Sequence, residues 1–119
     1  MEVTFWGTRG SIPVSGPKYA EFGGNTPCLQ ITLESTTDTV IFDSGSGVRE
    51  LGVRLIQTKA THSRVVHLFL THAHWDHIQG FPFFAPAFLP DFRLNICCTK
   101  DAKSILERQM QTPFFPVSL

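Results

Sequence analysis

Val65-Val66-His67-Leu68-Phe69-Leu70-Thr71-His72-Ala73-His74-Trp75-Asp76-His77 is the stretch that decides how this chain is read. From Arg64 to Leu70 apolar residues fall on both faces, the pattern of a β-strand covered on both sides in layered α/β structure. The residues that follow place three imidazoles and a carboxylate within six positions, which is metal-ligand chemistry. On a helix, residues two apart point to nearly opposite sides, whereas extended or turn backbone brings them to one side. His72 and His74 therefore clasp one ion only if the backbone there is not helical, and a place just after a strand satisfies that. Asp76 and His77 lie one step further, where a turn aims them at a second ion about 3.5–4 Å away. The mixed His and Asp set favours zinc, with iron and manganese as alternatives. Two ions so placed share a water, lower its pKa and present hydroxide to an electrophile.

Upstream of that strand, Ser44-Gly45-Ser46-Gly47 leads into Val48, Leu51, Gly52, Leu55 and Ile56 at helical spacing, with Arg49, Glu50 and Arg54 on the other side. Before it, Cys28–Glu34 and Thr39–Phe42 read as a hairpin around Ser35-Thr36-Thr37-Asp38, its second strand ending on Asp43. Val3-Thr4-Phe5-Trp6 is a short strand. From Gly7 to Pro27 five Gly and three Pro mark a long irregular loop, of the kind that is usually functional in a compact domain. Downstream, Phe81–Pro90 is an aromatic, Pro-rich loop and Phe92–Cys98 a strand. Ala102, Ile105, Leu106, Gln109 and Met110 mark a last helix, begun by Thr99 or Asp101. The order β-β-β-α-β-loop-β-α implies helices packed on a mixed sheet, an α/β class with α+β character.

The other histidines take bland readings: His62 lies in a polar connection and His67 within a strand. Trp75, between candidate ligands, reads as packing. Cys28, Cys97 and Cys98 have no CxxC spacing, and two adjacent cysteines do not bridge readily, so all three read as reduced core residues without a ligand role.

With 119 residues the chain is one domain or part of one. Ten basic and ten acidic residues cancel, so no global field draws in long nucleic acid or an anionic membrane. Charged residues are only 17% and eleven residues are Phe, so apolar surface is left that wants a covering. The start, Met1-Glu2-Val3-Thr4, lacks the basic and apolar regions of a signal peptide, and no run approaches the ~20 apolar residues of a membrane helix. A soluble, cytoplasmic protein is expected. Thr112-Pro113-Phe114-Phe115-Pro116-Val117-Ser118-Leu119 is apolar and extended, like the approach to another strand or to an interface.

The stretch Thr71–His77 resembles the His-x-His-x-Asp-His signature of the metallo-β-lactamase superfamily, and Ile41-Phe42-Asp43-Ser44-Gly45-Ser46-Gly47 resembles the Asp-x-Gly-x-Gly turn found upstream in it. Phe5-Trp6-Gly7-Thr8-Arg9-Gly10-Ser11-Ile12-Pro13, with Phe22-Gly23-Gly24-Asn25-Thr26-Pro27-Cys28, further resembles the phosphodiesterase branch with ribonuclease Z-like and cyclic-nucleotide-cleaving enzymes. The resemblance spans nearly the whole chain but only about the first half of a four-layered αββα sandwich, so residues 1–119 are expected to be the N-terminal half of one such domain.

The resemblance implies that His72 and His74 bind one zinc and Asp76 and His77 the other, with Asp76 also passing a proton. Asp43 would orient a ligand imidazole or the shared water; its alternative is to cap the Ser44–Gly47 turn. Gly23, Gly24, Asn25 and Thr26 would line the phosphate side of the substrate through backbone N–H groups, or else form a plain tight loop. Arg9 would clamp phosphate, or stay solvated. Complete members add further His and Asp ligands from the second half. This chain has no His after His77, and of its later carboxylates Asp91 suits a solvated loop and Asp101 a helix N-cap.

Two readings follow. One is a metal-dependent phosphodiesterase centre, incomplete in this chain, acting on a small phosphodiester or nucleotide. The other is a catalytically inactive half-sandwich that covers its exposed sheet with a second copy or a partner chain.

Overall fold

The computed structural model describes residues 1–58 and 63–117. Five strands make one mixed sheet whose spatial order follows the chain: β1 (Glu2–Gly7), β2 (Cys28–Thr32), β3 (Thr39–Phe42), β4 (Val65–Leu70) and β5 (Arg93–Cys98). β1, β2 and β3 pair antiparallel, while β3, β4 and β5 pair parallel. The connections account for the change. The short polar loop after β2 lets the chain turn straight back, whereas a parallel pair needs a crossover, here helix α1 (Val48–Gln57) between β3 and β4. The second crossover carries a single helical turn, α2 (Trp75–Ile78), and α3 (Ala102–Gln109) follows β5. A mixed sheet with helices is thus observed as expected.

One face of the sheet is the core. In a parallel pair, residues in register share a face, so Ile41 against Leu68 and Leu68 against Ile96 line up across three strands. Val66, Leu68 and Leu70 are buried there under Val48 and Leu51 of α1, Leu106 of α3 and Met110. Each such side chain contributes about 1.5–3 kcal/mol by leaving water. Phe81–Pro90, expected to be loop, instead forms two 3₁₀ turns, Phe81–Phe83 and Ala85–Phe88, with Phe81, Phe84 and Pro86 wholly enclosed. Rings of this size repay burial more than a solvated loop would, and the prolines suit the first turn of a helix. They reach α1 at Gly52, where the Phe84 ring and Pro86 leave little room for a Cβ.

The other face is apolar but uncovered. Register places Val3 and Phe5 beside Ile31 and Leu29, and those beside Val40 and Phe42. Phe69 continues the band, its ring stacked on Phe42 at 5.3 Å. Phe5 is 67% exposed and Phe69 37%. The expectation that β4 is covered on both sides is therefore corrected: Val66, Leu68 and Leu70 are buried, while Val65, His67 and Phe69 face a side on which no layer of the described residues lies. His67 is half-buried on that side, bonded to Asp38 at 3.2 Å.

The cysteine reading divides. Cys28 is buried and Cys98 half-buried, but Cys97 alternates onto the uncovered face and is exposed. All three are free thiols. Burial, helped by the nearby Asp43 charge, pushes the Cys28 thiol up to about 12. Asp101, not Thr99, caps α3, accepting from the Ser104 N–H at 3.3 Å. Asp91 is largely exposed and 3.7 Å from Arg64. Up to residue 117 the C-terminal stretch makes turns and no strand; Phe115 packs edge-on to Phe83 at 5.8 Å, while Phe114 is exposed. His62 lies outside the described residues. No helix among the described residues is long and apolar enough to cross a membrane.

Candidate metal centre

The cluster stands where the C-terminal ends of parallel β3 and β4 open into loops, the usual place for ligands in such sheets. After β4 ends at Leu70 the backbone stays out of the helical region as far as His74 (φ −64°, ψ 149°), and α2 begins at Trp75. That satisfies the constraint drawn from the spacing. The rings of His72 and His74 meet edge-on with centroids 4.4 Å apart, and the short helix then swings His77 to within 4.0 Å of His72.

Asp43, directly after β3, is in the left-handed region (φ 61°) and is buried. Its Oδ2 lies 2.8 Å from His77 Nδ1, and its Oδ1 accepts from the Thr71 N–H at 2.8 Å and from Thr71 Oγ1 at 2.9 Å. No side chain caps α1, whose first residue follows Gly47. Of the two roles weighed for Asp43, its contacts are those of a group that orients an imidazole. With Nδ1 engaged, His77 turns Nε2 towards Asp76, whose Oδ2 is 3.6 Å away.

Asp76 has a partner that its own neighbourhood in sequence does not disclose. The main-chain N–H of Ser11, in the Gly7–Pro27 loop, donates to Asp76 Oδ2 at 2.9 Å. That hydrogen bond, with the nearby His77, holds the carboxyl below its ordinary range against a smaller opposing effect of burial.

Thr26 departs from the role considered for it. It is fully buried and gives its N–H to Ser46 Oγ at 3.0 Å. Its own hydroxyl accepts from the Ser46 N–H at 2.7 Å and from Gln79 Nε2 at 3.0 Å. Thr26 therefore knots the loop to the Ser44–Gly47 turn and to the end of α2, and its N–H is not turned to a substrate. Asn25 Oδ1 accepts from Ser46 Oγ at 3.0 Å, and its carbonyl takes the N–H groups of Thr8 and Arg9. Gly24 carries no side chain because the Val14 carbonyl fills that space, and its own carbonyl accepts from Val14 N–H. Gly23 is the turn residue, with φ 75°. Arg9 donates from Nε to the Ile12 carbonyl at 2.9 Å and lies over the Tyr19 ring, within its own loop. Trp75, expected to pack, is 61% exposed: as the first residue of a one-turn helix it projects away from the core that Ile78 enters.

The donor chemistry of His72, His74, Asp76 and His77 fits a divalent cation, and all four side chains are neighbours. Among the described residues, however, no three such side chains converge on one point that would hold an ion. Ser11, Thr71, Ser46 and Gln79 were not foreseen from sequence; Thr71 alone had a local signal, being a hydroxyl at the end of the strand beside His72.

A mixed sheet ending in a His-rich loop, with a buried aspartate behind one imidazole, defines the class. The chain belongs to the metallo-β-lactamase superfamily, whose model matches residues 23–90. It is also similar to proteins named ribonuclease Z from Staphylococcus aureus strains JH9, Newman and N315. Identity is 32% over 83 residues, which is 69% of this chain and 24% of each relative. The chain thus spans about a quarter of the length of these curated relatives. No solved structure matches it significantly.

Proposed function

We propose that this chain carries the His-x-His-x-Asp-His part of a metal-dependent hydrolase centre that cleaves phosphodiester bonds, with zinc as the metal and manganese or iron as alternatives. The observation that carries the reading is the Asp43–His77 contact of 2.8 Å, which fixes the tautomer with Nε2 free and turned towards Asp76, beside the His72 ring. When bound, such a cation supplies Lewis acidity and makes a water acidic enough to act as nucleophile. His72 and His74 would hold one such cation on the strand side, and Asp76 and His77 a second on the helix side. Asp76 would also take and return a proton. Gly24 and Asn25 form the rim on which a phosphate group would rest. Similarity to proteins named ribonuclease Z supports an RNA or nucleotide phosphodiester as the substrate class. The free thiols agree with a cytoplasmic setting.

Cobalt(II) titration followed by visible absorption tests the reading. At least one equivalent should bind with tetrahedral d–d bands, and His74→Ala should weaken binding more than tenfold. Uptake of less than one equivalent, or no effect of His74→Ala, would defeat it. Hydrolysis of bis(p-nitrophenyl) phosphate, lost in His72→Ala and Asp76→Ala, would defeat the non-catalytic alternative.

A second reading has its own observation, the uncovered band from Val3 and Phe5 to Phe42 and Phe69. Monomers seldom expose so continuous an apolar surface. On this reading the half-domain is covered by a second copy, and the centre is inactive or completed across the dimer. Sedimentation showing a monomer at low micromolar concentration would sink it.

A further inference from the structure

Ser11 and Asp43 are the non-glycine residues with positive φ among the described residues, at 76° and 61°. Each costs on the order of 1–3 kcal/mol of backbone strain and persists only because its surroundings hold it there. Both touch the candidate ligand set. Asp43 reaches His77 through its side chain, and Ser11 reaches Asp76 through its backbone, 65 positions away.

We propose that the main-chain N–H of Ser11 is the positioning group for Asp76, so that the Gly7–Pro27 loop sets the carboxylate for cation binding. This rests on the metal reading above. The loop is stiff enough for the task. Thr8 and Arg9 both donate to the Asn25 carbonyl, Ile12 donates to Gly10, and Val14 donates to Gly24. Arg9 Nε closes the turn on the Ile12 carbonyl, and Asn25 and Thr26 anchor the whole to Ser46 in the turn behind the cluster. Ser11 therefore does not reach Asp76 as a loose arm; its strained φ is imposed from both sides. The contact is made by the Ser11 backbone N–H, so the side chain's identity matters only through the backbone. Fixing Oδ2 against Ser11 restricts how the carboxylate can rotate, which a half-buried side chain at the start of a one-turn helix would otherwise do more freely.

The test compares Ser11→Pro, which removes the N–H and forces φ negative, with Ser11→Gly and Ser11→Ala, which keep the N–H. Cobalt(II) affinity should fall about 10–100-fold in Ser11→Pro, the usual effect of losing a group that orients a metal ligand, and stay within about twofold in the other two. Ser11→Pro equal to the parent, or Ser11→Ala as damaged as Ser11→Pro, would overturn the proposal while leaving the metal reading intact. A parent chain that takes up no cobalt overturns the metal reading and this proposal with it. Should Ser11→Pro lose its circular dichroism spectrum, the decision passes to the amide resonance of Ser11. Asp76→Ala should shift that resonance upfield and speed its hydrogen exchange, and an unmoved resonance overturns the proposal.

Discussion

Replacing Asp43 with alanine should destabilise the chain far more than an ordinary single substitution. Oδ2 lies 2.8 Å from His77 Nδ1, and Oδ1 accepts from Thr71 N and Oγ1 at 2.8 and 2.9 Å. Hydrogen bonds to a charged acceptor are each worth about 1.5–3 kcal/mol. Thr71 is exposed, so water replaces most of what it loses, and the full value applies to His77 alone. Alanine at φ 61° adds about 1 kcal/mol of backbone cost. The sum is about 2.5–4 kcal/mol, or a drop in Tm of about 10–16 °C at roughly 4 °C per kcal/mol for a chain of this size. Urea denaturation followed by circular dichroism, with an unchanged m-value, measures it. Asp43→Gly should lose about 1 kcal/mol less than Asp43→Ala, since glycine accepts the left-handed backbone. An Asp43→Ala chain within about 0.5 kcal/mol of the parent, or Asp43→Gly worse than Asp43→Ala, would refute the account.

Thr26→Val keeps the volume and removes an acceptor shared by Ser46 and Gln79, at a cost of about 1–3 kcal/mol in urea titration that Thr26→Ser should largely restore. Gly45→Ala should cost about 1–3 kcal/mol, because the added methyl meets the Asp76 carbonyl and the Thr26 hydroxyl; thermal melts would read it. In the folded chain the Cys28 thiol ionises at about 12, against 9.0 for an ordinary thiol. The unfolded state therefore loses its proton first, and stability falls as pH rises above 9, by about 1.4 kcal/mol near pH 10. In Cys28→Ala that part of the pH dependence should vanish. Ellman's reagent should titrate Cys97 first in the native chain and Cys28 only after unfolding.

The elements around the cluster were legible because each leaves a local mark. Apolar spacing marked α1, a carboxylate three residues before the Ser104 N–H marked the cap of α3, and the two-residue spacing of His72 and His74 demanded the non-helical backbone that is found. Phe81–Pro90 was misread because prolines signal loops while the burial of Phe81 and Phe84 depends on where α1 lies. Trp75 and Cys97 were misread for a like reason: apolar character says that a side chain gains by burial, not that a surface exists to bury it.

By itself the sequence determined the family signature, the donor types and the strand-then-turn backbone that brings His72, His74, Asp76 and His77 to one end of the sheet. These are short-range properties, fixed by residue type and by spacing over a few positions. Only the tertiary structure decided which groups stand behind the donors. Asp43 meets His77 across 34 positions and Ser11 meets Asp76 across 65, through hydrogen bonds that demand a fixed distance and direction. No periodicity encodes such meetings, because they depend on how β3 and β4 pair and on how the first loop is laced to the turn beneath them.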